Sequence, residues 1–237
     1  MQPQDNLLLL SAVGFDLTQK NLFGALAAGA TLVIPDFQEY DAAAISQLIE
    51  SEQISWINCA PSAFYPLQDE PWQWAALRSL RYLFLGGEPI NLARLASWLR
   101  QSQCQLINSY GPTECTDIAT WYAIELERDL KASALPIGRP NDNVTLYVLG
   151  EQQELLPIGA IGELCIGGDG VGPGYLNNPA QTDAVFLPNP HKAGERIYRT
   201  GDLGRVNAQG EIEYMGRIDL PVKIRGYRIE LTEIESV

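Results

Sequence analysis

Leu7-Leu8-Leu9-Leu10, the stretch Leu17 to Ala28, Gly29, and then Thr31-Leu32-Val33-Ile34-Pro35 set the pattern of the chain. The first run reads as a buried strand and Leu17 to Ala28 as a helix closed by Gly29. Thr31 to Ile34 reads as a second strand, stopped by Pro35. The alternation then repeats. Asp41 suits an N-cap for a helix in which Ile45, Leu48 and Ile49 share one buried face. Ser55 to Cys59, Leu80 to Leu85 and Gln105 to Ile107 are further strands, with a helix near Leu92 to Gln101 between the last two. Such alternation favours a layered parallel sheet with flanking helices, an α/β arrangement. A sheet of that kind places ligands beyond the carboxyl ends of its strands. Three segments are expected at such ends: Asn58 to Pro61, Gly86-Gly87-Glu88 and Asn108 to Glu114.

From about Ala119 the pattern changes. Thr145 to Leu149, Gly162 to Ile166 and Gly210 to Tyr214 alternate in polarity and are separated by Gly, Pro and Asn turns. They predict an antiparallel, barrel-like module. Pro179 after Asn178 fits the first turn of one short helix running to about Phe186.

Composition narrows the function. The 237 residues are 46% hydrophobic and 19% charged, ordinary for a folded globular chain. A formal net charge of −13 argues against nucleic-acid partners and anionic membranes, which require clustered Lys and Arg. No apolar run reaches the roughly 18–20 residues that span a bilayer, and Met1 to Asp5 lacks the basic start of a signal peptide. Cys59, Cys104, Cys115 and Cys165 are scattered without a CxxC pair, so they read as small core residues of a cytoplasmic protein. The single histidine, His191, sits among Pro188, Pro190 and Gly194 and reads as a loop residue; no GxSxG motif accompanies it.

Four motifs follow one another in order. They are Asn108-Ser109-Tyr110-Gly111-Pro112-Thr113-Glu114, Gly162-Glu163-Leu164-Cys165-Ile166-Gly167-Gly168, Tyr198-Arg199-Thr200-Gly201-Asp202-Leu203, and Gly216-Arg217-Ile218-Asp219 running into Val222 to Leu231. Together they resemble the adenylation domains of nonribosomal peptide synthetases, within the adenylate-forming superfamily, and the resemblance extends from about Asp5 to Val237. It implies the incomplete N-terminal core of such an enzyme, with residues 1–118 as an α/β subdomain, 119–217 as the β-rich module, and 218–237 as a hinge leading to a C-terminal domain.

The implied chemistry joins an amino-acid carboxylate to the α-phosphorus of Mg·ATP. The charges of the two anions must be offset for the reacting atoms to meet. By resemblance, Tyr110 offers a face to adenine, Thr113 a hydroxyl to a phosphate oxygen, and Glu114 a hard oxygen ligand for Mg²⁺. Asn108 would lie near the adenine amino group, and Asp202 would accept from the ribose hydroxyls. Tyr214 would line the adenine site, Arg217 the ribose and phosphates, with Lys223 nearby and Asp219 at the hinge. Gly86 and Gly87 suit close approach to a flat base, beside Glu88. The segment Gly162 to Leu176 reads as structural; it carries Pro173 where an Arg is usual, and Pro221 stands where a Gln is usual.

Phe15-Asp16-Leu17-Thr18-Gln19-Lys20 resembles the segment whose aspartate pairs with a substrate α-ammonium. Asp16 thus points to an α-amino acid, because a half-buried carboxylate needs a partner charge. By position the pocket would also take Leu17, Lys20, Asn58, Phe84, Gly86, Ser109, Asp117 and Ile118. An aliphatic substrate would leave Lys20, Asn58 and Asp117 unsatisfied at roughly 1–3 kcal/mol each, so a polar side chain is expected. If Lys20 and Asp117 neutralise one another, an amide or hydroxy amino acid fits best; otherwise Lys20 suits an acidic and Asp117 a basic side chain.

Nothing before Asp16 resembles the family's phosphate loop, and the chain stops at Glu235-Ser236-Val237, before the lysine of the C-terminal domain. A carrier motif for phosphopantetheine would lie on a separate domain, with carrier-protein and condensation domains as partners. The expectation is a piece of an adenylation domain that is inactive by itself. Two alternatives are an acyl- or aryl-CoA ligase of the same superfamily and an inactive remnant that binds nucleotide or a partner.

Overall fold

The β-α-β start forms as the sequence predicts. In the computed structural model, which describes residues 1–37 and 39–218 and the backbone strands Val222–Ile224 and Tyr227–Ile229, β1 (Asn6–Leu8) leads into α1 (Asp16–Ala28). β2 (Thr31–Val33) then returns parallel to β1, with Leu7 opposite Leu32. Gly29 ends α1 at φ 67°, its N–H reaching the Ala25 and Leu26 carbonyls. A residue without Cβ takes that left-handed conformation without a steric penalty. In α2 (Ala42–Ser51), the Asp41 carboxylate accepts from the Ala43 and Ala44 N–H groups at 2.9 and 3.2 Å, and Ile45 and Ile49 are fully buried. There follow β3 (Trp56–Cys59), α3 (Pro61–Phe64), β4 (Tyr82–Gly86), α4 (Leu92–Leu99) and β5 (Gln105–Tyr110).

The chain divides into two compact units. The first holds Met1–Asn108 with Ala123–Ala132. Its strand order is β2-β1-β3-β4-β5, parallel at each pairing from β2 to β4. Leu7, Leu8, Ile57, Leu83 and Leu85 are buried in its sheet, and Ala25 of α1, Ile45 of α2 and Trp98 of α4 are buried with them.

The second unit holds Ser109–Tyr122 and Ser133–Val222. After β6 (Thr120–Ala123) and α5 (Leu126–Asp129) come β7 (Pro136–Pro140), β8 (Val144–Leu149), β9 (Gly162–Gly168), α6 (Pro179–Val185) and β10 (Phe186–Pro188). β11 (Arg196–Val206), β12 (Ile212–Arg217), β13 (Val222–Ile224) and β14 (Tyr227–Ile229) complete the order. From β6 to β8 the order is β6-β7-β12-β11-β9-β8 and each pairing is antiparallel, with β10 added on β11. Cys115, Ala119, Ile166, Phe186 and Tyr198 form one core, and Ile137, Val148, Leu164 and Ile212 another. Asn178 caps α6 through Gln181 N–H, with Pro179 at its first turn. All four cysteines are free thiols, and Cys59, Cys115 and Cys165 are buried core residues.

Two boundaries depart from the sequence reading. β5 extends to Tyr110 rather than stopping at Ile107, so Asn108 and Ser109 lie within the strand, buried at 8% and 7% exposure. By contrast, β3 ends at Cys59 as read, with Asn58 inside it, and Gly86 closes β4. All three segments thus stand at the carboxyl ends of their strands, as expected. An apolar pattern cannot mark a strand end made of buried polar residues whose backbone is satisfied by the ladder. Similarly, Gly210 is a turn residue at φ 74°, and β12 begins two residues later.

Candidate functional site

In the second unit the site is built around Asp202. β11 breaks register against β9 between Arg199 and Leu203, and against β12 between Leu203 and Gly204. Gly201 within that stretch has φ 70°. A bulge of this kind re-aims a side chain that regular pairing would have held in the sheet. Thr200 fixes it: its hydroxyl donates to the Leu164 carbonyl at 2.7 Å and accepts from Asp202 N–H at 2.9 Å.

The Asp202 carboxylate, 3% exposed as a residue, is held from two sides. Tyr110 OH donates to Oδ2 at 2.5 Å, and Arg217 Nη1 pairs with Oδ1 at 2.8 Å while donating to the Thr200 carbonyl at 3.0 Å. Burial, reinforced by the negative Asp202, pushes the Tyr110 hydroxyl well above the usual phenol range, so it stays protonated and remains a donor. The Tyr110 and Tyr214 rings lie 6.3 Å apart between centroids, tilted by 43°.

Glu114 lies in the 3₁₀ turn Thr113–Cys115 that follows β5. Its Oε1 accepts from Tyr175 OH at 2.6 Å. Thr113 is exposed, and Asp117 and Ile118 are half-buried. Thr116 and Asp117 both occupy the left-handed region, at φ 63° and 68°, which is uncommon for residues other than Gly and strained for a β-branched one. The turn closes tightly on Gly111, where a Cβ would meet the Asp117 carbonyl oxygen at 1.7 Å and the Ala119 nitrogen at 2.6 Å.

In the first unit, Asp16 opens α1, half-buried, and its Oδ1 accepts from the Leu17 N–H at 2.7 Å. Lys20 stands one turn further on the same face, also half-buried, with Leu17 beside Asp16. Asn58 is buried at the end of β3, donating through Nδ2 to Asn21 Oδ1 at 2.9 Å, while Asn21 Nδ2 donates to the Asn58 carbonyl at 3.4 Å. Asn58 thus has a partner inside the protein. Phe84 stacks on Trp56 at 5.0 Å and 17°. Gly87 has φ 80°, and Glu88 accepts from both Ser62 N–H and Ser62 hydroxyl at 3.0 Å.

The structure thus gathers Tyr110, Asp202, Arg217 and Tyr214 into one cluster, with Ser109, Thr113, Glu114, Asp117 and Ile118 on the same continuous segment as Tyr110. Asp16, Leu17, Lys20, Asn58, Phe84, Gly86, Gly87, Glu88 and Asn108 belong to the first unit. Lys223 is in β13 by its backbone; its side chain and Asp219 lie outside the described residues. Sequence reasoning missed Gly111, Thr200 and Asn21 as supports, and it missed Tyr175 as a partner of Glu114. The signal for Tyr175 was present: five glycines between Gly167 and Gly174 mark a backbone in close approach to something. Among the described residues, no three His, Cys, Asp or Glu side chains converge on a metal position, and no helix is long and apolar enough to cross a membrane.

The chain resembles known proteins over nearly its whole length. A family model described as AMP-binding enzyme matches residues 1–176. Tyrocidine synthase 3 of Brevibacillus parabrevis is 42% identical over 235 residues, 98% of this chain and 4% of its own length. Bacitracin synthase 3 of Bacillus licheniformis is 43% identical over 234 residues, again 98% of this chain and 4% of that protein. The chain therefore spans only a small part of these relatives. Among solved structures, holo-PA1221, a protein described as containing adenylation and PCP domains, superposes with a TM-score of 0.91 at 30% identity. That match covers 99% of this chain and 41% of PA1221. With the family match over most of its length and these synthetases alike across nearly all of it, the chain belongs to the AMP-binding enzyme family, as part of an adenylation domain of the nonribosomal peptide synthetase type.

Proposed function

We propose that the chain serves amino-acid activation: an amino acid and Mg·ATP give aminoacyl-AMP and pyrophosphate, and the acyl group then passes to a phosphopantetheine thiol. The observation that carries this reading is the buried Asp202 held between Tyr110 and Arg217. Each carboxylate oxygen carries lone pairs for a second hydrogen bond, so a carboxylate oriented in this way is suited to accept two vicinal ribose hydroxyls. Tyr110 and Tyr214 would flank the base, with Asn108 toward its amino group and Gly86, Gly87 and Glu88 completing the adenine side. Arg217 and Lys223 supply positive charge toward the ribose and phosphates, and Thr113 donates to a phosphate oxygen. Asp219 is proposed as the hinge.

Glu114 fits a magnesium site in its donor chemistry. It is a single hard carboxylate, and Mg²⁺ is commonly held by one or two carboxylates plus phosphate oxygens and water, so no all-protein cage is required. When bound, the ion would offset phosphate charge. On the substrate side, Asp16 would pair with the α-ammonium, with Leu17, Lys20, Asn58, Phe84, Gly86, Ser109, Asp117 and Ile118 shaping the pocket. A polar amino-acid side chain is the proposed substrate class. The division at residues 118 and 217 is kept as the proposed subdomain plan. Carrier-protein and condensation domains are the proposed partners, and the free thiols and the use of ATP favour the cytoplasm.

ATP–pyrophosphate exchange with each proteinogenic amino acid tests the reading. The chain alone is expected to give only background exchange, because the family's phosphate loop and catalytic lysine are not in its sequence. Removing such electrostatic groups commonly lowers rates by on the order of 10²–10³. Joined to those two segments, it should exchange with one polar amino acid, and Asp16→Ala should abolish that exchange. Preference for a fatty or aryl acid would replace the reading with a CoA-ligase one.

A further inference from the structure

The segment after β9, read from the sequence as structural, grips the turn that presents Glu114. The grip has three parts. Gly172 N–H donates to the Glu114 carbonyl at 2.8 Å, Thr116 hydroxyl donates to the Gly170 carbonyl at 2.8 Å, and Tyr175 OH donates to Glu114 Oε1 at 2.6 Å. The fit leaves no room for side chains at its glycines: a Cβ on Gly170 would meet the Cys115 carbonyl at 2.9 Å, and one on Gly172 the Glu114 carbonyl at 3.1 Å.

Tyr175 is itself held in place. Its ring meets Phe186 edge-on at 5.6 Å, its hydroxyl lies 3.5 Å from that of Tyr198, and its N–H donates to the Thr182 hydroxyl at 2.9 Å. Tyr198 is buried to 2% exposure and stacks obliquely on Phe186 at 5.0 Å. The main-chain bonds thus hold the Glu114 turn, while the aromatically backed phenol of Tyr175 meets its carboxylate.

We infer that Tyr175 is the positioning residue of the magnesium carboxylate, orienting Glu114 toward the Mg·nucleotide. The inference rests on the proposed function. It goes further in assigning part of the nucleotide site to the Gly170–Tyr175 segment, 61 residues from Glu114 in sequence. A bond to one oxygen fixes the plane of the carboxylate, and outer partners of metal ligands commonly contribute about 10–100-fold in metal affinity.

Calorimetric titration of the chain with a non-hydrolysable ATP analogue, with and without Mg²⁺, tests this. Tyr175→Phe removes the hydroxyl and keeps the ring on Phe186. It should leave Mg-free affinity unchanged and reduce the gain from Mg²⁺ by roughly 10-fold. Tyr198→Phe removes a second hydroxyl that bonds Glu114 but leaves the Tyr175–Glu114 bond in place, and it should lose less of that gain. If the unsubstituted chain gains nothing from Mg²⁺, the nucleotide reading itself fails and the inference with it. If it gains and Tyr175→Phe gains equally, only the positioning role is overturned. Should Tyr175→Phe not fold, Thr182→Val, which removes the hydroxyl that anchors the Tyr175 backbone, decides: full retention of the gain overturns the role, and a partial loss supports it.

Discussion

Asp202 and Arg217 form an ion pair whose side chains are 5% and 9% exposed. Pairs so deeply placed contribute little net stability, yet removing one partner strands the other charge in a medium that solvates it poorly. Asp202→Ala should therefore lower unfolding free energy by roughly 3–5 kcal/mol, read from urea midpoints at unchanged slope. It should also weaken nucleotide binding at least tenfold, because the acceptor for the ribose is gone. Asp202→Asn keeps an oxygen for Tyr110 OH and should fold better while still binding nucleotide poorly. Equal binding by both variants and the unsubstituted chain would remove Asp202 from the site. The sequence already singled out Asp202, Tyr110 and Arg217, because each sits in a contiguous motif. It did not reveal that they touch: Tyr110 and Asp202 are 92 residues apart, and only the bulge at Thr200-Gly201 turns the carboxylate toward the phenol.

At the scale of elements, the turn from Gly111 to Ile118 is the least forgiving part of the fold. Its two left-handed residues cost on the order of 1–3 kcal/mol each, held by the Thr116–Gly170 bond and by backbone crowding at Gly111. Gly111→Ala places a methyl carbon where two backbone atoms already stand, neither able to rotate away. We expect a loss of about 1–3 kcal/mol or more and loss of Mg-dependent nucleotide binding. Gly24→Ala is the matched contrast: an added Cβ in α1 meets nothing within 4 Å. Removing a helical glycine there should stabilise by roughly 0.5–1 kcal/mol in thermal melts. If both substitutions shift the melt alike, the crowding at Gly111 is not what holds the turn. The helices and their caps were legible beforehand, Gly29, Asp41 and Asn178 all standing where they were expected, because capping is chemistry between neighbours in sequence. The end of β5 was not, because its polar residues are buried by partners that periodicity does not see.

At the scale of the whole molecule, buried thiols and phenols couple the fold to alkaline pH. Burial raises the Cys59, Cys115 and Cys165 thiols from 9.0 to about 12, and it raises Tyr110 and Tyr198 as well. Above the unfolded thiol value the unfolded chain ionises and the folded one does not. Stability should thus be constant from neutrality to about pH 9 and fall steadily toward about pH 12. Urea midpoints between pH 7 and 11 check the sign; a midpoint that rises with pH over that span would refute it. The buried thiols should also resist alkylation at pH 8 until urea is added. The α/β start, the change to an antiparallel module, the family and the contiguous motifs were legible in the chain alone, since all of these are written in local periodicity, capping and short-range order. Which distant residues meet emerged with the fold: Asn21 with Asn58, Tyr110 with Asp202, and Tyr175 with Glu114. A hydrogen bond between side chains tens of residues apart depends on strand register, bulges and the close approach of glycine backbones, and none of these leaves a periodic trace in the chain.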